Sequence, residues 1–210
     1  MWKLRAFINI IDGLSISGFI SSWHVPLNVR YKDAGIVEEN LKRHHPTEHI
    51  HSDSWAGESS ESVTTIIPLL GDAERNRVDY YAPPDDFEES WLKPLPSYLA
   101  GTEIAKRYRP IEVPFRQGYL YIADFGMLHA SFHHPGCEGR VSIDTTFAMS
   151  QNVNQKEVIH PWREGERAKH EDLLNIGITK LFVFPDTNES QVDSQGGFKH
   201  PTNLIIKDIQ

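Results

Sequence analysis

The sequence holds a single cysteine, Cys137. No intramolecular disulfide can form, and no zinc site with two or more thiolates can be built, so a reducing, cytoplasmic setting is expected. Cys137 itself is expected to be a small buried or half-buried side chain. Positive charge is also scarce: 21 Lys and Arg stand against 29 Asp and Glu, a formal net charge of −8. That balance argues against nucleic acid or an anionic membrane as the main partner. Long apolar runs are missing too. The N-terminal stretch MWKLRAFINIIDGLSISGFISSW is interrupted by Asn9 and Asp12, and no small-residue cleavage site follows a clean apolar run. Neither a signal peptide nor a membrane span is expected. The chain also lacks GxGxxG, a P-loop and any regular βα alternation, which disfavours a doubly wound α/β fold.

What remains is a chain of 210 residues, 39% hydrophobic and 24% charged, suited to a single globular domain over residues 1–210 with a sizeable core. The middle reads as strands. SVTTIIPLL (62–70) is β-branched and apolar and ends at a Gly-Asp turn. YLYIADF (119–125) has the same character. RVSIDTTFAM (140–149) alternates, with Val141, Ile143, Thr145 and Phe147 on one face and Arg140, Ser142, Asp144 and Thr146 on the other. LSISGFISSW (14–23) alternates as well, and KLFVFP (180–185) is another short candidate. Helices are expected over 34–44 and, most strongly, over GERAKHEDLLNIGITKL (165–181). Residues 71–114 read as a long proline-spotted loop whose aromatics argue against disorder. Many short strands with few helices indicate a mostly β fold, a sandwich or barrel with a few helices added.

Histidine is plentiful, 11 in all, and clusters at 44, 45, 49 and 51. In an extended strand residues i and i+2 share a face, so His51 and Asp53 in HIHSDSW would project together, about 7 Å apart along the chain. His49 has the same parity and is the substitute for His51. A second HxD, His170 to Asp172, lies in the expected helix over 165–181, where i and i+2 do not share a face; His170 reads as a solvated helix residue. A further histidine, His129, follows the strand YLYIADF, and Arg140 comes eleven residues later with Ser142 on its face. Two histidines and one carboxylate on one face of an octahedral metal suit non-haem Fe(II), and a nearby arginine offers a planar fork to a carboxylate.

The order of these features, HSDSWAGES, TTIIPLL, GYLYIADFGMLHAS and GRVSIDTTF, resembles the Fe(II)/2-oxoglutarate-dependent dioxygenase superfamily. The likeness is to its bacterial biosynthetic branch, near the phytanoyl-hydroxylase-like group, and covers roughly residues 45–150. The resemblance implies a double-stranded β-helix, a cupin-like jelly roll with a few flanking helices. It implies His51, Asp53 and His129 as catalytic iron ligands, Arg140 and Ser142 as the site for the distal carboxylate of 2-oxoglutarate, and Thr64 as a further cosubstrate contact. Fe(II), 2-oxoglutarate and O2 would then be the cofactor and cosubstrates. A small-molecule substrate would be hydroxylated with release of succinate and CO2. Asp53 is present, which disfavours the halogenating relatives that lack this carboxylate.

Several alternatives stand beside this reading. His133 and His134 compete with His129, in a turn-like SFHHPG. Trp55 and Glu58, just after the HxD, are candidates to line the substrate site, although Trp55 reads equally as a packed aromatic. Arg77, Tyr80 and Tyr81 are candidate lid residues. A cupin-like metalloenzyme that does not use 2-oxoglutarate would need no role for Arg140, and a binding protein of the same fold would need no converging ligands. The acidic balance points to a neutral or cationic substrate, and a homodimer stays open.

Overall fold

Alternation of β-branched and polar residues builds the two longest strands where the sequence places them. The computed structural model describes residues 2–24, 27–35, 38–42, 45–58, 62–149, 167–175, 180–183 and 205–208. In chain order the elements are helix α1 (Trp2–Gly13), strands β1 (Ile20–His24) and β2 (Asn28–Lys32), the short helix α2 (Glu38–Leu41), strands β3 (Ser62–Gly71) and β4 (Asn76–Ala82), helix α3 (Thr102–Ala105), strands β5 (Arg109–Ile111), β6 (Tyr121–Asp124), β7 (Leu128–His133), β8 (Arg140–Met149) and β9 (Arg167–Lys169), helix α4 (His170–Leu174), and strands β10 (Lys180–Val183) and β11 (Ile205–Asp208). The fold is mostly β, with antiparallel sheets and few helices. No described helix is long and apolar enough to cross a membrane.

The chain divides into two compact units, Asn28–Asp144 and a second made of Met1–Leu27 with Thr145–Gln210. In the first unit β3 pairs with β6, from Val63 opposite Asp124 to Ile66 opposite Tyr121. Strand β2 pairs with the start of β8, from Asn28 opposite Asp144 to Lys32 opposite Arg140. A three-stranded sheet runs β5-β4-β7. Its longest ladder sets Asn76 opposite His133 and Tyr80 opposite His129. Two apolar clusters fill this unit. One centres on Trp55, Tyr98, Tyr108 and Leu128. The other joins Ile66, Val78, Tyr80, Phe115 and Ala123. Burying aromatic rings of this size is the main favourable term available to such sheets.

The second unit is built on α1, β1, the end of β8 and β9. Phe7, Ile8 and Ile11 are buried at helical spacing along α1, the apolar stripe of an amphipathic helix. Phe7 meets the edge of the Trp23 ring at 5.7 Å, and Trp23 meets Phe147 at 5.1 Å.

Four expectations change. The strand expected over 14–23 starts only at Ile20, after a 3-10 turn over Ser17–Phe19. The helix expected over 165–181 is a strand at Arg167–Lys169 and then one helical turn, α4, because β9 is captured as the antiparallel neighbour of β1; pairing overrides propensity. Residues 165, 166 and 176–179 lie outside the described residues, as do 36, 37, 43 and 44 in the expected helix over 34–44, of which Glu38–Leu41 is helical as α2, and 184–185 beyond β10. The long loop of 71–114 carries strands β4 and β5. His170 is not a solvated helix residue: it is half-buried, and the Trp23 indole N–H donates to its Nδ1 at 2.8 Å.

Candidate metal centre

Local chemistry at residues 49–57 makes a corner where the sequence suggests a strand. Ser52 is extended, and its hydroxyl accepts the Ser54 N–H at 3.2 Å, capping a 3-10 turn over Asp53–Ala56. Such side-chain capping competes with continued strand pairing. Gly57, at φ +94°, closes the turn in the left-handed region that favours glycine. So His51 and Asp53 converge through a turn and not through strand parity.

His51 is tied to His129 by a two-way backbone bridge: the His51 N–H donates to the His129 carbonyl at 3.0 Å, and the His129 N–H to the His51 carbonyl at 2.9 Å. The two imidazoles lie 4.3 Å apart, centroid to centroid. Asp53 sits against both, with Oδ1 3.7 Å from His51 Nε2 and Oδ2 3.9 Å from His129 Nε2. One donor atom from each residue falls within 4.8 Å of the other two, the arrangement that could hold a metal ion.

Three observations make this donor set suit a divalent cation. The His51 Nδ1 lies 2.6 Å from the His49 carbonyl; as donor there it leaves Nε2 as the free lone pair, the outer support common to metal-ligating histidines. His51 Nε2 is buried and has no hydrogen-bond partner, an orphan that a bonded metal would satisfy. Burial, and then the neighbouring His129, hold the His51 imidazole well below the usual histidine range, and burial lowers His129 against the pull of Asp53. Both rings are therefore neutral near pH 7, as ligation requires.

Tyr98 was not visible in the sequence as part of this site. Its ring stacks on His51 at 3.9 Å and 20° and meets the edge of His45 at 4.8 Å. The only sequence signal was its aromatic character in a proline-rich stretch 47 residues downstream of His51.

Across the same unit, β8 opens with its faces inverted relative to an ordinary half-buried strand. Arg140 and Ser142 are buried, at 2% and 0% exposure. On the opposite face, Val29 and Tyr31 of the paired strand β2 are largely exposed. Arg140 lies over the Phe115 ring, Cζ 5.1 Å from its centroid. Its Nε and Nη1 and the Ser142 hydroxyl have no hydrogen-bond partner. Burial pulls the Arg140 guanidinium down to about 10, with only partial help from Asp144 and Tyr80. A buried cation with orphaned donors is costly unless an anion fills the space before it.

The other predicted residues fall in different places. Tyr80 is buried on the inner face of β4, opposite His129, with ring centroids 6.3 Å apart. Thr64 lies across from Ala123 and two residues from Ile66, on the face of the core that also holds Tyr80 and Phe115. Trp55 is packed in the core, its indole N–H donating to the Trp91 carbonyl at 2.9 Å. Glu58 is buried just beyond the turn, and its N–H donates to the Asp53 carbonyl at 3.3 Å. Arg77 points to the other side of β4, paired with Asp79 at 2.6 Å and lying over Phe132. His134 is exposed, and His133 stands four residues past His129 in β7; neither joins the cluster. His44 lies outside the described residues. Cys137 is buried.

No family model matches the chain, and no curated protein matches it. Among solved structures it is similar to the non-heme alpha ketoglutarate dependent epimerase SnoN from nogalamycin biosynthesis, at 13% identity, over 71% of this chain and 62% of that one, with a TM-score of 0.41. It is similar also to EctD from S. alaskensis in its apoform, at 16% identity, over 70% of this chain and 52% of that one, with a TM-score of 0.40. The chain spans less than two thirds of either protein's length. At these values the likeness carries no argument about the reaction, which must rest on the site.

Proposed function

We propose that this chain is a non-haem Fe(II)/2-oxoglutarate-dependent oxygenase of the jelly-roll type that hydroxylates a small molecule. The observation that carries the reading is the presence, within one compact unit, of a His51–Asp53–His129 cluster and of buried Arg140 and Ser142, whose Nε, Nη1 and hydroxyl have no hydrogen-bond partner. Two neutral imidazoles and a carboxylate suit Fe(II) and leave positions open for ligands. Bound Fe(II) with 2-oxoglutarate and O2 supplies the oxidising chemistry, yielding succinate, CO2 and a hydroxylated substrate. The protein's part is placement. His49 fixes the tautomer of His51, and the bridge between His51 and His129 fixes the spacing of the two imidazoles. Arg140 and Ser142 offer N–H and O–H donors to a carboxylate, and Tyr80 stands opposite His129 in the β4–β7 ladder. Arg140, buried with two donor nitrogens unbonded, favours a reading with an anionic ligand, as 2-oxoglutarate would be, over a cupin-like enzyme that binds none. The test is succinate release from 2-oxoglutarate by the Fe(II)-loaded protein, compared with Asp53→Ala. Succinate above background that disappears in the variant supports the reading; no succinate across a broad panel of small molecules, together with no stabilisation by 2-oxoglutarate, overturns it.

A further inference from the structure

The anion site around Arg140 contains a second cation. Lys32 stands directly opposite Arg140 in the β2–β8 ladder. Directly paired residues point to the same face with Cβ atoms about 5 Å apart, and like charges there repel. Lys32 is not at the surface: its side chain is 16% exposed, and that of its partner Glu48 is 6% exposed. The ammonium donates to Glu48 Oε1 at 3.1 Å and to the Thr47 hydroxyl at 2.5 Å. Thr47 in turn is bound to β7, where the Ser131 N–H donates to its carbonyl at 2.7 Å and the Ser131 hydroxyl to its own at 3.4 Å. Ser131 lies two residues from His129 on the same face. Thus Lys32 is clamped between the strand that carries Arg140 and the strand that carries a metal-cluster histidine.

The charges do not cancel. Lys32 and Arg140 contribute two positive charges and Glu48 one negative. His133, on the inner face of β7, is held neutral by burial. Arg30 and Asp144, further along the ladder, form their own pair at 2.6 Å. One uncompensated positive charge remains, and it sits with the orphaned donors of Arg140.

We propose that Lys32 is a specificity-determining residue of this anion site, and that Glu48 masks it so that the site is matched to a ligand with one carboxylate at its distal end. This rests on the reading of the site as a 2-oxoglutarate site. Removing the Glu48 charge exposes a second cation to the ligand; removing Lys32 leaves Glu48 as an unpaired anion facing it.

The experiment titrates the Mn(II)-loaded protein by calorimetry with 2-oxoglutarate and with 2-oxopentanoate, which carries a methyl group in place of the distal carboxylate. The ratio of the two dissociation constants isolates what the distal carboxylate gains. At an effective dielectric of about 20, one charge about 10 Å away changes it by about tenfold. Glu48→Gln raises the ratio about tenfold, Lys32→Met lowers it about tenfold, and the double variant returns to within about threefold of the parent. A ratio unchanged in Glu48→Gln overturns the proposal. That variant keeps a hydrogen-bond acceptor for Lys32, so it carries the test alone should Lys32→Met fail to fold. A ratio near one in the parent protein would instead sink the underlying 2-oxoglutarate reading.

Discussion

Replacing Arg140 by methionine should make the ligand-free protein more stable while destroying its response to 2-oxoglutarate. Most buried substitutions destabilise, so the sign is diagnostic. Arg140 is 2% exposed, two of its donor nitrogens are unpartnered, and its pKa is pulled from 12.5 to about 10, mainly by burial. At about 1.4 kcal/mol per unit, the charge costs the ligand-free protein about 3–4 kcal/mol. Phe115 beneath the guanidinium already offsets part of the charge's desolvation, and methionine fills less volume. A net gain of about 1–2 kcal/mol remains, in line with buried charges replaced by apolar side chains. For a chain of this size that is a rise in melting temperature of about 2–8 °C. The parent, in turn, should gain about 2.7 kcal/mol from 2-oxoglutarate at a hundred times its dissociation constant, and Arg140→Met should gain almost nothing. Differential scanning fluorimetry with and without Mn(II) and 2-oxoglutarate measures both effects. A variant less stable than the parent without ligand, yet still shifted by 2-oxoglutarate, would refute the reasoning.

Other outcomes are equally specific. Asp53→Ala should reduce Mn(II) affinity at least a hundredfold while leaving the circular dichroism spectrum unchanged, because Asp53 is an acceptor at the cluster and not part of either apolar core. Gly101→Ala should destabilise by about 1–3 kcal/mol in urea unfolding, since a Cβ there would lie 2.2 Å from the Trp55 ring. His170 accepts the Trp23 N–H only when neutral, and burial holds its pKa below the usual 6.5. A base with a lowered folded pKa contributes its full stability above its unfolded value and loses it as pH falls below that value. The urea midpoint should therefore drop between about pH 6.5 and 5 more steeply in the parent than in His170→Gln.

The strands most legible in the sequence were those that alternate between two distinct environments. Strand β8 covers the stretch read from its alternation, residue for residue, and β3 differs by one residue at its end. Strand β4 alternates too, Val78 and Tyr80 inward and Arg77 and Asp79 outward, but the proline-spotted, charge-rich sequence around it gave it the look of a loop. The faces of β8 were legible, yet not which of them is inside: the polar Arg140 and Ser142 are buried, against the usual rule that apolar residues go in. His51, Asp53 and His129 could be named, but the means of their meeting could not. The Ser52 cap and the two-way bridge between His51 and His129 depend on a turn and on a partner 78 residues away. Tyr98 and Lys32 stayed hidden for the same reason. A single tyrosine or lysine has no local pattern that announces the ring or the charge it will meet across a fold.

The measurement that bears most directly on the central claim is a calorimetric titration of 2-oxoglutarate into the protein with and without Mn(II). On the proposed function, a metal held by His51, Asp53 and His129 and a carboxylate bound at Arg140 would belong to one ligand site. Binding should therefore be strong only with metal present, and each of Asp53→Ala and Arg140→Met should abolish it. Binding of equal strength without metal, or none in the metal-loaded parent, would contradict the account.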